Sequence, residues 1–218
     1  MAFRSLSGSS GPIRPFFATR SMAPDATVSG VLSVGANLRS AVSPWVRFTW
    51  QTASLPTSLT GVSGADIIRP ATSDEADKVL DVVMHSFSMD SAWNDFMVKV
   101  EPYLKESIAR IFNQEEPLCL VIPKGNRFIA ASLLNPSGED SNQLLSGPAV
   151  LVEYRNRGLG ARLLHASLAA LRDRGLSTVR GITRVNGVAS RHVYTKFGGV
   201  EESVQLPSQT EVSQESKS

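Results

Sequence analysis

The stretch Val150-Leu151-Val152-Glu153-Tyr154-Arg155-Asn156-Arg157-Gly158-Leu159-Gly160-Ala161-Arg162-Leu163-Leu164 constrains the fold more than any other part of the chain. It reads as the end of a β-branched strand, a short basic turn, and a helix that begins at once. Gly158 and Gly160, one residue apart, let the backbone turn tightly and leave amide N–H groups uncovered. A helix starting there adds its own unpaired N–H groups and the positive end of its dipole. That combination suits a phosphate or pyrophosphate, with Arg155 and Arg157 adding charge beside it.

The rest of the 218 residues sets the frame around this turn. The formal net charge is +2, but residues 1–65 hold five arginines, no lysine and one acid, so the remainder is net acidic. A basic nucleic-acid binder is therefore not expected. Cys119 is the only cysteine, which excludes an intrachain disulfide framework and fits a reducing compartment. It lies in the apolar run Leu118-Cys119-Leu120-Val121-Ile122, as a buried strand residue would. No apolar run approaches the ~20 residues that cross a bilayer, so a soluble, cytoplasmic protein without a membrane partner is expected.

Residues 1–65 differ in composition from the remainder of the chain: eighteen are Ser or Thr, Gly and Pro recur, and no sustained apolar periodicity appears. An organelle transit peptide has this composition. A disordered extension, or sequence upstream of the natural start, has it equally. The folded domain is expected over 66–206, with 207–218 a polar tail.

Within that domain Asp66 to Pro70 reads as a short strand, and Ser73-Asp74-Glu75 as a helix start. Val79, Leu80, Val83, Met84 and Phe87 come next at helical spacing. A second helical stretch carries Trp93, Phe96, Val100, Leu104, Ile108 and Ile111, with Pro102 expected to kink or restart it. Its aromatic stripe reads as core, and Trp93 with Phe96 could also wall a pocket. Leu118 to Ile122 and Phe128 to Leu134 read as a hairpin joined by Pro123-Lys124-Gly125-Asn126. Gln143 to Val152 is a strand that Gly147-Pro148 should bulge or splay. A helix from Gly158 to Arg174, a strand from Ser177 to Val185, a short helix from Ala189 to Phe197 and a last strand from Val200 to Leu206 complete the order. This predicts an α/β (α+β) fold, a mixed sheet with helices on both faces. A dinucleotide fingerprint is incomplete, and the G-x-x-x-x-G-K-[ST] loop is absent.

Arg155-x-x-Gly158-x-Gly160 resembles the (Q/R)-x-x-G-x-(G/A) motif of the GNAT acetyltransferase superfamily, with Val150 and Tyr154 at the apolar and aromatic positions before it. Asn186, Ser190, Tyr194, Lys196 and Gly198 stand in the order of that family's later signature. The resemblance spans Asp66 to Leu206 and implies acetyl-CoA as co-substrate, a primary amine as acceptor, and no metal. It implies cofactor contacts at Val150, Val152, Arg155, Asn156, Arg157, Gly158, Leu159, Gly160, Asn186 and Ser190, and Tyr194 as general acid. Asn186 reads equally as an ordinary turn residue.

Three departures stand out. Asn186 is one residue further from Tyr194 than the resemblance suggests, Gly199 stands where Phe is common, and only one strand comes after the last helix. A partner subunit in a homodimer could supply the second strand, or the site could be open. No general base is evident. Glu153 is expected to face solvent, His165 and His192 to lie on the surface, and His85 to be the better pocket candidate. An amine can also lose its proton to water. A non-catalytic acyl-CoA-binding or regulatory module is the competing expectation.

Overall fold

The computed structural model describes residues 45–57, 59 and 67–205, and its first strand lies where the sequence pattern suggested none. β1 (Trp45–Gln51) alternates aromatic and β-branched residues, the pattern of a strand buried on one face. Val46, Phe48 and Trp50 point into one core layer and are almost wholly buried. The folded domain therefore begins before Asp66, and the boundary at 66 is corrected. The other expectations for residues 1–44 and for the tail 207–218 lie outside the described residues.

The order continues with β2 (Arg69–Pro70), α1 (Ala76–Ser88), α2 (Met97–Phe112), β3 (Cys119–Lys124), β4 (Arg127–Leu133) and β5 (Ala149–Val150). Then come α3 (Leu159–Asp173), β6 (Thr178–Arg184), a π-helical turn at Ser190–Tyr194, and β7 (Val200–Val204). Two antiparallel sheets form, in the orders β2-β3-β4-β5 and β6-β1-β7. Helices cover both faces, as expected. α1 and α2 pack Val83, Leu104 and Ile111 against Val121 and Ala131 of one face. α3 packs Leu163, Leu164 and Leu171 against Ile122 and Ile129 of the other.

The place expected for a second C-terminal strand is filled from the other end of the chain. β1 sits between β6 and β7 and pairs with both, Phe48 opposite Gly181 and Glu201. No partner subunit has to supply it.

α2 runs through Pro102 as one element. The lost donor would have served the carbonyl of Val98, whose residue is exposed, so water can take its place. The α1 start is held by a reciprocal cap: the Thr72 amide donates to Glu75 Oε2 at 2.9 Å. Arg69 grips the same carboxylate through both guanidinium nitrogens, at 2.7 and 2.8 Å, and holds the Glu75 carboxyl down at about 2.

The predicted break at Gly147-Pro148 positions the site. Upstream of it the amides of Gln143 and Leu144 donate to the carbonyl of Arg180 in β6, while Leu144 bridges Leu134, so this segment ties the sheets together. Downstream, among the described residues, β5 pairs only with β4. The strands fork at Ser146-Gly147-Pro148, and a cavity opens in the fork.

Candidate active site

The cavity measures about 530 Å³, within the range of small-molecule sites. Its mouth is the turn that precedes α3. Asn156 and Gly158 both take left-handed backbone conformations, φ 61° and 76°, on either side of Arg157. Gly158 is the residue that adopts this geometry without a Cβ penalty, and Asn is among the few others that tolerate it. The turn leaves its backbone donors open. The amides from Asn156 to Ala161 donate no hydrogen bond among the described residues, and they open the α3 helix. Six consecutive N–H groups without a partner among the described residues at a helix N-terminus are the donor pattern that suits an anion.

Arg155 is built into the frame of this receptor. Its Nε donates to the Val150 carbonyl at 3.0 Å and its Nη2 to the Ser86 carbonyl at 2.9 Å. Ser86 Oγ donates to the same Val150 carbonyl at 3.0 Å. The turn is thereby fastened to the end of α1. Arg157 instead lies on the surface, its Nη2 donating to the Glu153 carbonyl at 3.1 Å and its guanidinium over the Tyr154 ring. Lys124 and Arg127 face the same ring, so a rim of three cations borders the turn. Val150 and Val152 line the cavity along with Asn156, Gly158, Leu159 and Gly160. The Val150 carbonyl is already engaged, whereas the Val152 amide donates to no described residue.

Tyr194 lies deep in the fork. Its ring meets Phe48 and Trp50 edge-on, at centroid distances of 5.5 and 5.2 Å. Its hydroxyl sits against Gly147, where a side chain at residue 147 would collide with it. That hydroxyl has no hydrogen-bond partner among the described residues, and Tyr194 is part of the cavity wall. Burial pushes the phenol above the usual tyrosine value, so it is protonated at neutral pH and can give a proton rather than take one.

Asn186 and Ser190 are not brought to this cavity. Asn186 Oδ1 accepts from Arg191 on the surface, at 3.4 Å. Ser190 Oγ lies 2.8 Å from the carbonyl of Val185 and 2.9 Å from that of Gly187, closing the turn ahead of the helix. Of the histidines, His192 is exposed, as expected, and His85 does not reach this cavity. His192 lines the cavity. His85 instead lines a separate hollow of about 240 Å³ with Asp81, Arg127 and Glu153. His165 is remote, its Nε2 2.7 Å from the carbonyl of Pro56. Glu153 faces outward, paired with Arg127. Cys119 is buried and its thiol is pushed up to about 12, so it is no nucleophile.

Asp90, one of two acids in the segment between α1 and α2, was not singled out by its sequence context. Its Oδ2 accepts from the Val188 amide at 2.9 Å and its Oδ1 from the Ala92 amide at 3.2 Å, and the residue lines the cavity. Trp93 lines the cavity, as its aromatic stripe allowed, whereas Phe96 does not and packs against the core instead. Among the described residues no group of His, Cys, Asp and Glu is placed to hold a metal ion, and no helix is long and apolar enough to cross a membrane.

Residues 85–199, more than half of the chain, match the family model described as the acetyltransferase (GNAT) family. No curated protein matches the chain. A solved Drosophila protein is similar in fold, with TM-score 0.50 and 15% identity over 73% of this chain and 48% of that one. A conserved Staphylococcus epidermidis protein of unknown function gives TM-score 0.45 and 14% identity, over 73% of this chain and 57% of its own. A GCN5-related N-acetyltransferase from Sphaerobacter thermophilus gives 0.46 and 13%, over 74% and 49%. The chain spans about half the length of these solved proteins, at 48%, 57% and 49%.

Proposed function

The chain belongs to the acetyltransferase (GNAT) family, and from that premise we propose that it transfers an acetyl group from acetyl-CoA to a primary amine by direct attack. The observation that carries this reading is the run of unpartnered amides from Asn156 to Ala161 at the mouth of a cavity whose wall includes a protonated phenol. The amides and the dipole of α3 receive the pyrophosphate. The Val152 amide is free for a pantetheine carbonyl.

The acceptor enters as an ammonium, loses one proton to water and attacks the thioester carbonyl. The C–N bond forms and the C–S bond breaks. Tyr194 gives its proton to the departing thiolate and regains one from the nitrogen through solvent. One proton is released overall, and no covalent enzyme intermediate is needed.

Calorimetry of the full chain with acetyl-CoA, together with mass spectrometry of an amine panel, tests the reading. Saturable binding and acetylated product are expected. Absence of binding at ~1 mM, on the order of the weakest affinities that family-type catalysis would use, would overturn it.

A further inference from the structure

Acetyl transfer, if that reading holds, leaves open what kind of amine the cavity takes, and the lining contributed by elements other than the α3 turn bears on this. Phe87, Trp93, Val100, Leu104, Leu145 and Ile182 contribute apolar surface. Phe87 and Trp93 stand with ring centroids 4.6 Å apart and tilted by 51°, so the wall offers aromatic faces as well as aliphatic ones. Asp90 is the only carboxylate among the described residues that line it.

The state of that carboxylate suits a cation. Its hydrogen bonds come from neutral backbone amides, those of Ala92 and Val188. No lysine or arginine pairs with it among the described residues. A carboxylate offers about four acceptor positions, so lone pairs remain for a third donor. The neighbouring Arg184 is committed elsewhere, to Asp95 at 2.9 Å and to the Ala92 carbonyl at 3.0 Å. The loop that carries Asp90 is thus fixed from two sides, and its charge is left without a side-chain partner.

We propose that the acceptor is a small primary amine on an apolar body, an arylalkylamine or alkylamine, whose ammonium is received by Asp90. The apolar wall selects the body, and a second charge on that body would be buried with nothing to pair it. Diamines are therefore poor acceptors, and so are peptide lysines, whose backbone amides would meet the same apolar wall unpaired. The balance is that of the acetyl transfer above: one ammonium and one acetyl thioester give one amide, one thiol and one proton.

The test uses the full chain with acetyl-CoA and four acceptors: 2-phenylethylamine, hexylamine, 1,4-diaminobutane and a lysine-containing peptide. The first two are expected to exceed the others in kcat/KM by at least about tenfold, the scale of one unpaired buried polar group. Asp90→Asn should raise KM for hexylamine while leaving KM for acetyl-CoA unchanged, and inhibition by neutral 1-hexanol should be equal in both proteins. Preference for the diamine or the peptide overturns the proposal. An equal loss of hexanol inhibition also overturns it, because Asp90 would then be only a loop clamp. Where nothing turns over, calorimetry of hexylamine against the CoA-saturated protein decides: binding that Asp90→Asn abolishes supports the proposal, and no binding overturns it. Failure to bind acetyl-CoA at all overturns the acetyl-transfer reading instead, and this inference with it.

Discussion

The indole Nε1 of Trp50 donates to the backbone carbonyl of Lys196 at 3.0 Å, joining the first strand of the domain to the turn that carries Tyr194. The two residues are 146 positions apart, and the bond marks how β1 is used. Inserted between β6 and β7, it completes the small sheet and walls the phenol with Phe48 and Trp50. Shortening the chain to 67–205 should therefore abolish cooperative unfolding, although residues 85–199 suffice for the family match. Trp50→Ala should cost about 3–5 kcal/mol, as for other buried large-to-small changes. Urea denaturation measures both, and an unchanged transition in the shortened chain would show that β1 is dispensable.

The two arginines of the turn should separate by function. Arg155→Ala removes charge-assisted bonds to the carbonyls of Val150 and Ser86, so about 1.5–3 kcal/mol of stability should go together with cofactor affinity. Arg157→Ala removes only exposed charge beside the receptor. Affinity should fall a few-fold at low salt, the difference fading near ~0.5 M where screening is strong. Gly158→Val forces a branched residue to φ 76°, costing about 1–2 kcal/mol, and places a side chain over the amides. Acetyl-CoA binding should vanish while circular dichroism stays native. Equal behaviour of the two arginine variants in melting and binding would refute the division.

These residues also show what was readable in the chain. The turn at 155–160 was legible because glycine spacing and helix onset are local properties, and the fork was legible from one proline. β1 was not, although Trp45 to Trp50 alternates as a strand should. Ser- and Thr-rich surroundings masked seven residues, and their pairing with β6 and β7 is a long-range contact that no local pattern encodes. The last turn closes as a π-helix, so assigning faces by α-helical spacing misplaces its side chains. Asp90 gave no signal because its partners are backbone amides, which nearly every residue possesses.

The Arg69–Glu75 grip sets the acid limb of stability. The Glu75 carboxyl titrates at about 2 in the folded chain, against an ordinary value of 4.5. Its folded value is depressed, so its contribution is complete above about 4.5 and is lost as pH falls toward 2. Glu75→Gln should melt lower than the parent at pH 7, and the gap should close progressively below pH 4.5. A gap independent of pH would mean that the cap, and not the charge, carries the effect.

Tyr194 and Gly147 should behave as a coupled pair. Tyr194→Phe removes a hydroxyl with no partner among the described residues, so stability should change by less than about 1 kcal/mol. kcat should fall by about 10²–10⁴ if the phenol is the acid, with KM for acetyl-CoA little changed. The phenol's raised pKa keeps the acid form present through neutral pH, and this part of stability should decline only above the ordinary tyrosine value of 10. Gly147→Ala adds a Cβ where the hydroxyl sits, at a residue whose φ is 58°. It should destabilise the parent strongly and the Tyr194→Phe variant less, because the second background lacks the colliding oxygen and keeps only the backbone strain of about 1–2 kcal/mol. The double-mutant cycle should then show coupling of at least about 0.5 kcal/mol. Additive changes would place the hydroxyl elsewhere in the fork and remove the geometric basis for its role as acid.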